Sequence, residues 1–254
     1  MLEKVPAVTA AFWVLKVLAT TVGETAADFL NVKLGWGLSG TSLVIGALFA
    51  IVLLIQLTRR RCFPAIYWLA IVLVSVVGTL ITDNLTDKFG VPLQTTTIVF
   101  ATLLAFVFIA WWIRERTLAV HDIRTTPREL YYWAAILFTF ALGTAAGDLL
   151  AEASHLGYAR SLLVFAALIA ITAFAHFRFR LDGVLAFWIA YVLTRPLGAS
   201  LGDLLSQSKT AGGLGLGTTA TSVVFLAIIV ALVIRESAST AAASPRSDQV
   251  LEPS

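Results

Sequence analysis

The chain has 254 residues, of which 59% are hydrophobic and only 13% charged, far from the balance of a water-soluble globular domain. One cysteine, Cys62, excludes a disulfide framework and a cysteine-rich metal site, and reads as a small residue at a helix boundary. A net charge of +3 would elsewhere point to nucleic acid, but here the basic residues fall between long apolar runs, so membrane topology explains them first.

Hydropathy predicts eight membrane-spanning helices at about 7–30, 38–58, 64–86, 92–113, 129–152, 159–177, 183–206 and 214–234, each near the roughly 20 residues that a bilayer requires. The first is not read as a cleaved signal, because Lys16 and Glu24 interrupt its apolar run. Pro6, Pro64 and Pro127 precede three of the odd-numbered helices, where a missing backbone N–H is harmless. Every odd-numbered helix carries one pattern: an aromatic residue, Trp, nine residues, Gly, four residues, Asp. It reads Phe12-Trp13, Gly23, Asp28, then Tyr67-Trp68, Gly78, Asp83. It returns as Tyr132-Trp133, Gly143, Asp148 and as Phe187-Trp188, Gly198, Asp203. The Trp-to-Trp steps are 55, 65 and 55 residues, so the chain is a tandem array of four two-helix units at about 7–58, 64–113, 129–177 and 183–234.

After each Asp comes a Gly or Pro and then a hydroxyl: Gly37 and Thr41, Pro92 and Thr96, Gly157 and Ser161, Gly217 and Thr221. These hydroxyls are expected to cap the even helices, with a direct ligand role as the alternative. The connection from Arg114 to Glu129 divides the chain into halves, and its His121 and Asp122 are expected to be solvated. Residues 1–234 are read as a single membrane domain and 235–254 as a disordered cytoplasmic tail.

Lys and Arg set the orientation. Lys4, Arg59, Arg60, Arg61, Arg114, Arg116, Arg124, Arg128, Arg178, Arg180, Arg235 and Arg246 fall on one side, against Lys33, Lys88, Arg160 and Lys209 on the other. That imbalance predicts both termini in the cytoplasm, with all four units parallel rather than inverted.

The parts of the pattern carry different expectations. The Trp residues suit either an aromatic belt at the headgroups or packing where units meet. The glycines, with Gly147 and Gly202 completing GxxxG pairs, suit close helix approach. Acids in or beside a span are costly and tend to serve function, and here they sit at matching places in four units. Glu24, Asp87 and Glu152 each stand one turn from a repeat Asp, and such acid pairs repel unless a cation or proton lies between them. Lys16, Thr20, Glu24 and Asp28 form a polar stripe on the first helix. Lys16 is expected to snorkel to the cytoplasmic interface. Arg195, before the kinking Pro196, is expected to pair with Glu24 or Asp203, as a structural ion pair or a tethered competitor of a transported cation.

Seven acids against two bases leave a formal −5 in and around the odd helices, which favours cations. The ligands on offer are carboxylates, hydroxyls and carbonyls, a set that suits Mg²⁺, Ca²⁺, Mn²⁺ and protons, with His155 a minor nitrogen option. The Trp signature, Trp13, Trp68, Trp133 and Trp188, resembles that of bacterial membrane proteins built from four copies of a "repeat of unknown function". The resemblance covers about residues 7–234 and implies an eight-helix integral protein of the bacterial inner membrane, with no catalytic residues attached.

The resulting expectation is an all-α, pseudo-symmetric bundle that transports a cation, favoured as a Mn²⁺-like divalent metal, with proton coupling or membrane potential as the drive. Asp28, Asp83, Asp148 and Asp203 would form an acidic, metal-holding ring, helped by Glu24, Asp87, Arg195 and Lys16. A cation channel is the close variant. A sensor or assembly protein, or an intramembrane enzyme, is the alternative class, although HExxH and a credible Ser/His pair are missing. No resident cofactor is implied. The expected partners are the lipid bilayer and a small cation or protons, not nucleic acid, with self-association left open.

Overall fold

In the computed structural model each Trp-bearing segment is a helix that keeps its small and polar residues on one side. The structure describes residues 4–59 and 61–243, without the side chains of Glu152 and 239–243. Within these residues the chain is all helical, with eight long helices: α1 Ala10–Asp28, α2 Gly37–Thr58, α3 Pro64–Asp83, α4 Leu93–Glu115, α5 Thr126–Asp148, α6 Tyr158–Phe179, α7 Gly183–Ser206 and α8 Thr218–Ala243. Seven of them, all but α1, are long and apolar enough to cross a membrane. At 19 residues α1 is about 28 Å long, so it falls short in composition rather than length. Lys16, Glu24 and Asp28 lower its hydropathy, and its position explains why they are tolerated: α3, α7 and α8 all pack against it.

The four odd helices close on themselves, α1 against α3, α3 against α5, α5 against α7 and α7 back against α1. The glycines make this closure possible, and all four do so in the same way. A Cβ on Gly23 would come within 2.9 Å of the Ser75 carbonyl carbon. On Gly78, Gly143 and Gly198 it would lie 2.6 Å from the Cβ atoms of Phe140, Arg195 and Thr20. Each glycine thus receives the residue three positions ahead of the next unit's glycine, and the fourth hands back to the first. At the other end of these helices the aromatic residue before each Trp meets the Trp of a neighbouring helix. Phe12 meets Trp68 at 5.4 Å between ring centroids, Tyr67 meets Trp133 at 5.8 Å, Tyr132 meets Trp188 at 6.1 Å, and Phe187 meets Trp13 at 5.6 Å. Packing therefore wins over the aromatic belt for Trp68, Trp133 and Trp188, which are buried, while Trp13 is half-buried. Indole N–H groups find partners in Glu236, Glu129 and the Leu118 carbonyl.

The even helices form an outer layer and are much more exposed. They pack mainly on the neighbouring unit rather than on their own: α2 lies on α3, α4 on α5, α6 on α7 and α8 on α1. Their hydroxyls are not N-caps. Residue 36, 92 or 157 stands at the cap position of α2, α4 and α6, while Thr41, Thr96 and Ser161 lie inside the first turns, buried. Thr96 and Thr221 donate back to the carbonyls of Pro92 and Gly217 four residues earlier. Past the expected end at 234, α8 continues as helix to Ala243, and the remainder of the expected tail, Arg246 included, lies outside the described residues, as does Arg60.

The Arg-rich end is closed by a polar knot that sequence reading missed. Lys4 Nζ bridges Glu129 at 2.5 Å and donates to the Leu57 carbonyl at 3.1 Å, and Gln56 Nε2 donates to Glu129 Oε1 at 3.1 Å. The Lys4 N–H donates to the Ile123 carbonyl, so the segment before α1 is pinned across the bundle end with Lys4 and Val5 buried. Glu129, placed in a loop by its charge, is 1% exposed on α5. His121 is exposed, as expected, and the Asp122 carbonyl accepts from Arg128.

The glycine contacts make a direct prediction. Gly78→Ala must push α3 and α5 apart and should cost about 1–3 kcal/mol, seen as a lower melting temperature in detergent. Gly46→Ala on α2, where a Cβ meets nothing within 4 Å, should leave stability unchanged or raise it by up to about 1 kcal/mol.

Candidate functional site: an acidic cavity over a buried arginine

Four-residue steps along each odd helix bring successive layers of side chains to the middle of the bundle, since i and i+4 share a face. The outermost layer holds Asp28, Asp83, Asp148 and Asp203. All four line one cavity of about 210 Å³, together with Glu24, Thr86, Asp87, Leu93 and Gln207. The convergence that repeat spacing alone left open is therefore present. Asp203 is buried, Asp28, Asp83 and Asp148 are half-buried, and Asp87 is exposed at the rim. Gln207 Nε2 donates to Asp28 Oδ2 at 3.1 Å, and Thr86 Oγ1 to Asp87 Oδ1 at 3.0 Å. His155 is an exposed loop residue and does not line the cavity.

Immediately after Asp28, Asp83 and Asp148 the helix widens into a π-helical turn, at Phe29–Lys33, Asn84–Lys88 and Leu149–Ala153. The i to i+5 bonds are made by the N–H groups of Leu34, Phe89 and Ser154 to the carbonyls of Phe29, Asn84 and Leu149. Such turns are rare and recur at functional sites. The fourth unit lacks one: α7 runs on to Ser206, and the longer Gly-rich connection follows. Nothing in the repeat pattern distinguishes a π turn from an α turn, so this feature was hidden in the sequence.

One layer deeper stand Glu24, Thr79, Thr144 and Ala199, the residues following the four glycines. Arg195 reaches into this layer from α7 and is completely buried. Its Nη2 bridges Glu24 Oε2 at 3.1 Å, donates to Thr144 Oγ1 at 2.7 Å, and also meets Thr79 Oγ1. Its Nη1 donates to the Thr20 carbonyl at 3.4 Å. One guanidinium thus ties all four inner helices, and of the two acids expected as its partner Glu24 holds the ion pair. Thr79 Oγ1 also donates to Glu24 Oε2, at 3.2 Å.

Lys16 does not snorkel. It is fully buried two layers further in, its Nζ without a hydrogen-bond partner and held over the rings of Phe140 and Tyr191 at 4.1 and 4.2 Å. Snorkelling requires a free path to the interface, and the closed aromatic layer denies it. Below it Tyr67 and Tyr132 join hydroxyl to hydroxyl at 2.5 Å. Among the described residues no three His, Cys, Asp or Glu side chains are close enough together to hold a metal ion directly. The expected metal-holding ring is thus a ring of carboxylates around a space, not a preformed coordination shell. The Glu152 side chain lies outside the described residues.

Breaking the central ion pair should be severe. Glu24→Leu leaves a buried guanidinium uncompensated and should cost about 3–5 kcal/mol, and the double variant Glu24→Leu with Arg195→Met should be milder than Glu24→Leu alone. Thermal unfolding of the three purified proteins checks the order.

Neither a curated protein nor a solved structure matches the chain. A family model does, four times over, at residues 11–61, 66–117, 131–182 and 186–241, and these stretches contain most of each inner helix, the four glycines and the acids that line the cavity. The chain belongs to the family described as Repeat of Unknown Function (DUF347).

Proposed function

We propose that this protein is an integral membrane transporter of small, hard cations, a divalent metal of the Mn²⁺ kind being favoured. The observation that carries the reading is that the repeat Asp from all four units and Glu24 line one cavity. Acid rings around an axis are an established means of selecting cations. A cavity of about 210 Å³ has room for several waters, so a hard ion can be held through its hydration shell rather than by direct carboxylate contact. That accommodates both the high acid density and the lack of a three-ligand cluster among the described residues.

In this reading the eight helices span the bacterial inner membrane as four parallel units with pseudo-fourfold symmetry. The excess of Lys and Arg puts both termini in the cytoplasm and the acidic cavity on the outer side. The cyclic glycine and aromatic contacts support the symmetry. The symmetry is broken where it matters, at Glu24 in the first unit and Arg195 in the fourth, which pair directly across the α1–α7 contact.

The filled axis favours a carrier over an open channel. Between the cavity and the Arg-rich end lie Arg195, Phe140, Lys16 and Tyr191, all buried, and then the aromatic layer. Arg195 is itself a tethered cation on Glu24, so an ion advancing beyond the Asp layer must displace it. Asp87 and the four Asp complete the residues assigned to the path, while Lys16, outside the cavity lining, is given no contact with the ion. No resident cofactor and no catalytic chemistry are assigned.

Sealed vesicles containing the purified protein should take up Mn²⁺ in a saturable way, with Mg²⁺ and Ca²⁺ as competitors. The paired substitution Asp83→Asn with Asp148→Asn removes half of the Asp layer while leaving the Arg195 cluster intact, and should abolish most uptake. Unchanged flux in that variant would remove the Asp ring from the mechanism, and a protein inert toward all three ions would favour a sensor or assembly role.

A further inference from the structure

Lys16 is a fully buried cation that the cavity reading leaves without a task. Its Nζ has no acceptor, yet its surroundings are not those of an ordinary apolar residue. The faces of Phe140 and Tyr191 lie within 4.2 Å and can hold an ammonium by cation–π attraction. Arg195 is over the same Phe140 ring, its Cζ 5.5 Å from the centroid. Two basic side chains from opposite ends of the sequence therefore share one aromatic ring, while one carboxylate, Glu24, is bonded to Arg195. In a low-dielectric interior two adjacent unit charges of like sign repel strongly. The position of Arg195 and the charge on Lys16 cannot be independent.

We propose that Lys16 is a proton-binding site linked, through Arg195, to cation occupancy of the acidic cavity. This rests on the cation-transport reading and extends it to proton exchange. The groups facing the amine are Arg195 and Tyr191 from α7 and Phe140 from α5, and one turn nearer the aromatic end Tyr67 of α3 and Tyr132 of α5 are bonded to each other. Glu24 stands two turns along α1, and Glu236 of α8 is engaged with the Trp68 indole. With the cavity empty, Arg195 is held by Glu24, Thr79 and Thr144. A divalent cation drawn toward Glu24 displaces the guanidinium back toward the ring that it shares with Lys16. The added positive charge expels the proton from the Lys16 ammonium, leaving the neutral amine, and the proton leaves to water. When the cation departs, Arg195 returns to Glu24 and the amine takes up one proton. The one covalent change is an N–H bond of the ammonium, broken with its electron pair left on nitrogen as the proton passes to water and remade on its return, one proton for each displacement of Arg195.

Two measurements on the full-length protein test this. In vesicles that contain a pH-reporting dye, Mn²⁺ entry through the wild type should be accompanied by proton movement. Lys16→Met should still pass Mn²⁺ while the linked proton signal falls to that of protein-free vesicles. A wild-type ratio of proton to Mn²⁺ movement in Lys16→Met overturns the proposal. The second measurement does not depend on transport. The melting temperature of wild type minus that of Lys16→Met is followed from acidic to alkaline pH in detergent. A difference that is flat at acidic pH and rises above a break within the range shows a titrating Lys16, whereas a difference that is constant throughout, or that slopes throughout as for an amine neutral at every pH, overturns the proposal. Should Lys16→Met fail to fold, Phe140→Leu keeps the amine and removes the shared ring. It should shift the pH at which Mn²⁺-linked proton movement is half-maximal, and no shift overturns the coupling. A wild type that moves no Mn²⁺ but shows the pH-dependent difference would sink the transport reading and leave the proton site standing.

Discussion

Everything in this molecule depends on how closely four helices can approach around a common axis. Seven of the eight helices are long and apolar enough to cross a membrane, and lipid would offer their side chains no reward for associating, which leaves backbone approach and satisfied polar groups to hold the inner helices together. Gly23, Gly78, Gly143 and Gly198 supply the approach, each accepting a side chain or backbone of the next helix where a Cβ would collide. The resulting interior is so narrow that a single guanidinium spans it. Arg195 can touch Thr20, Glu24, Thr79 and Thr144 only because the four helices are that near. The ion pair in turn is tolerable in an apolar bundle because both Nη atoms meet oxygens, although Nε has no hydrogen-bond partner. Glycine spacing and the buried charge are thus one constraint seen twice.

The fold was largely written in the sequence, because its main signals are additive. Helix positions follow from the length of apolar runs, and the fourfold pattern follows from fixed spacing, both of which survive without knowledge of neighbours. The Trp residues show where such reasoning stops. A Trp near a helix end suits the headgroup region and a subunit seam equally well, and the choice depends on whether another ring lies within reach, as Phe12 does for Trp68. Lys16 fails for a related reason. Its stem is long enough to snorkel from that depth, and only the closure of the aromatic layer, a property of four helices together, prevents it. Glu129 and Lys4 were read as loop charges because the path of the chain before α1 is set by tertiary contacts alone.

The site was legible in part. Repeat spacing placed the four Asp at one level, and the broken symmetry at Glu24 and Arg195 marked the α1–α7 seam. The π-helical turns after three of the Asp residues were invisible, since no residue type encodes them. They also supply a reason for the fourth unit to differ. α7 keeps ordinary α geometry through Asp203 and contains Pro196 next to the arginine, so the helix carrying the central cation is also the one whose outer end is built differently.

The outer layer has a consequence for how such a chain is made. Each even helix lies on the next unit's inner helix, and α8 closes the circle by lying on α1. No two-helix unit therefore contains its own main packing partners. α1, the one of the eight that falls short of membrane-spanning composition, gains α3 from the next unit but α7 and α8 only from the fourth. Until then Glu24 has no arginine and Lys16 has no Tyr191 beside it. The burden of keeping two charged side chains in a nascent bundle falls on the interval between the first and last helices, and ends when the C-terminal pair arrives.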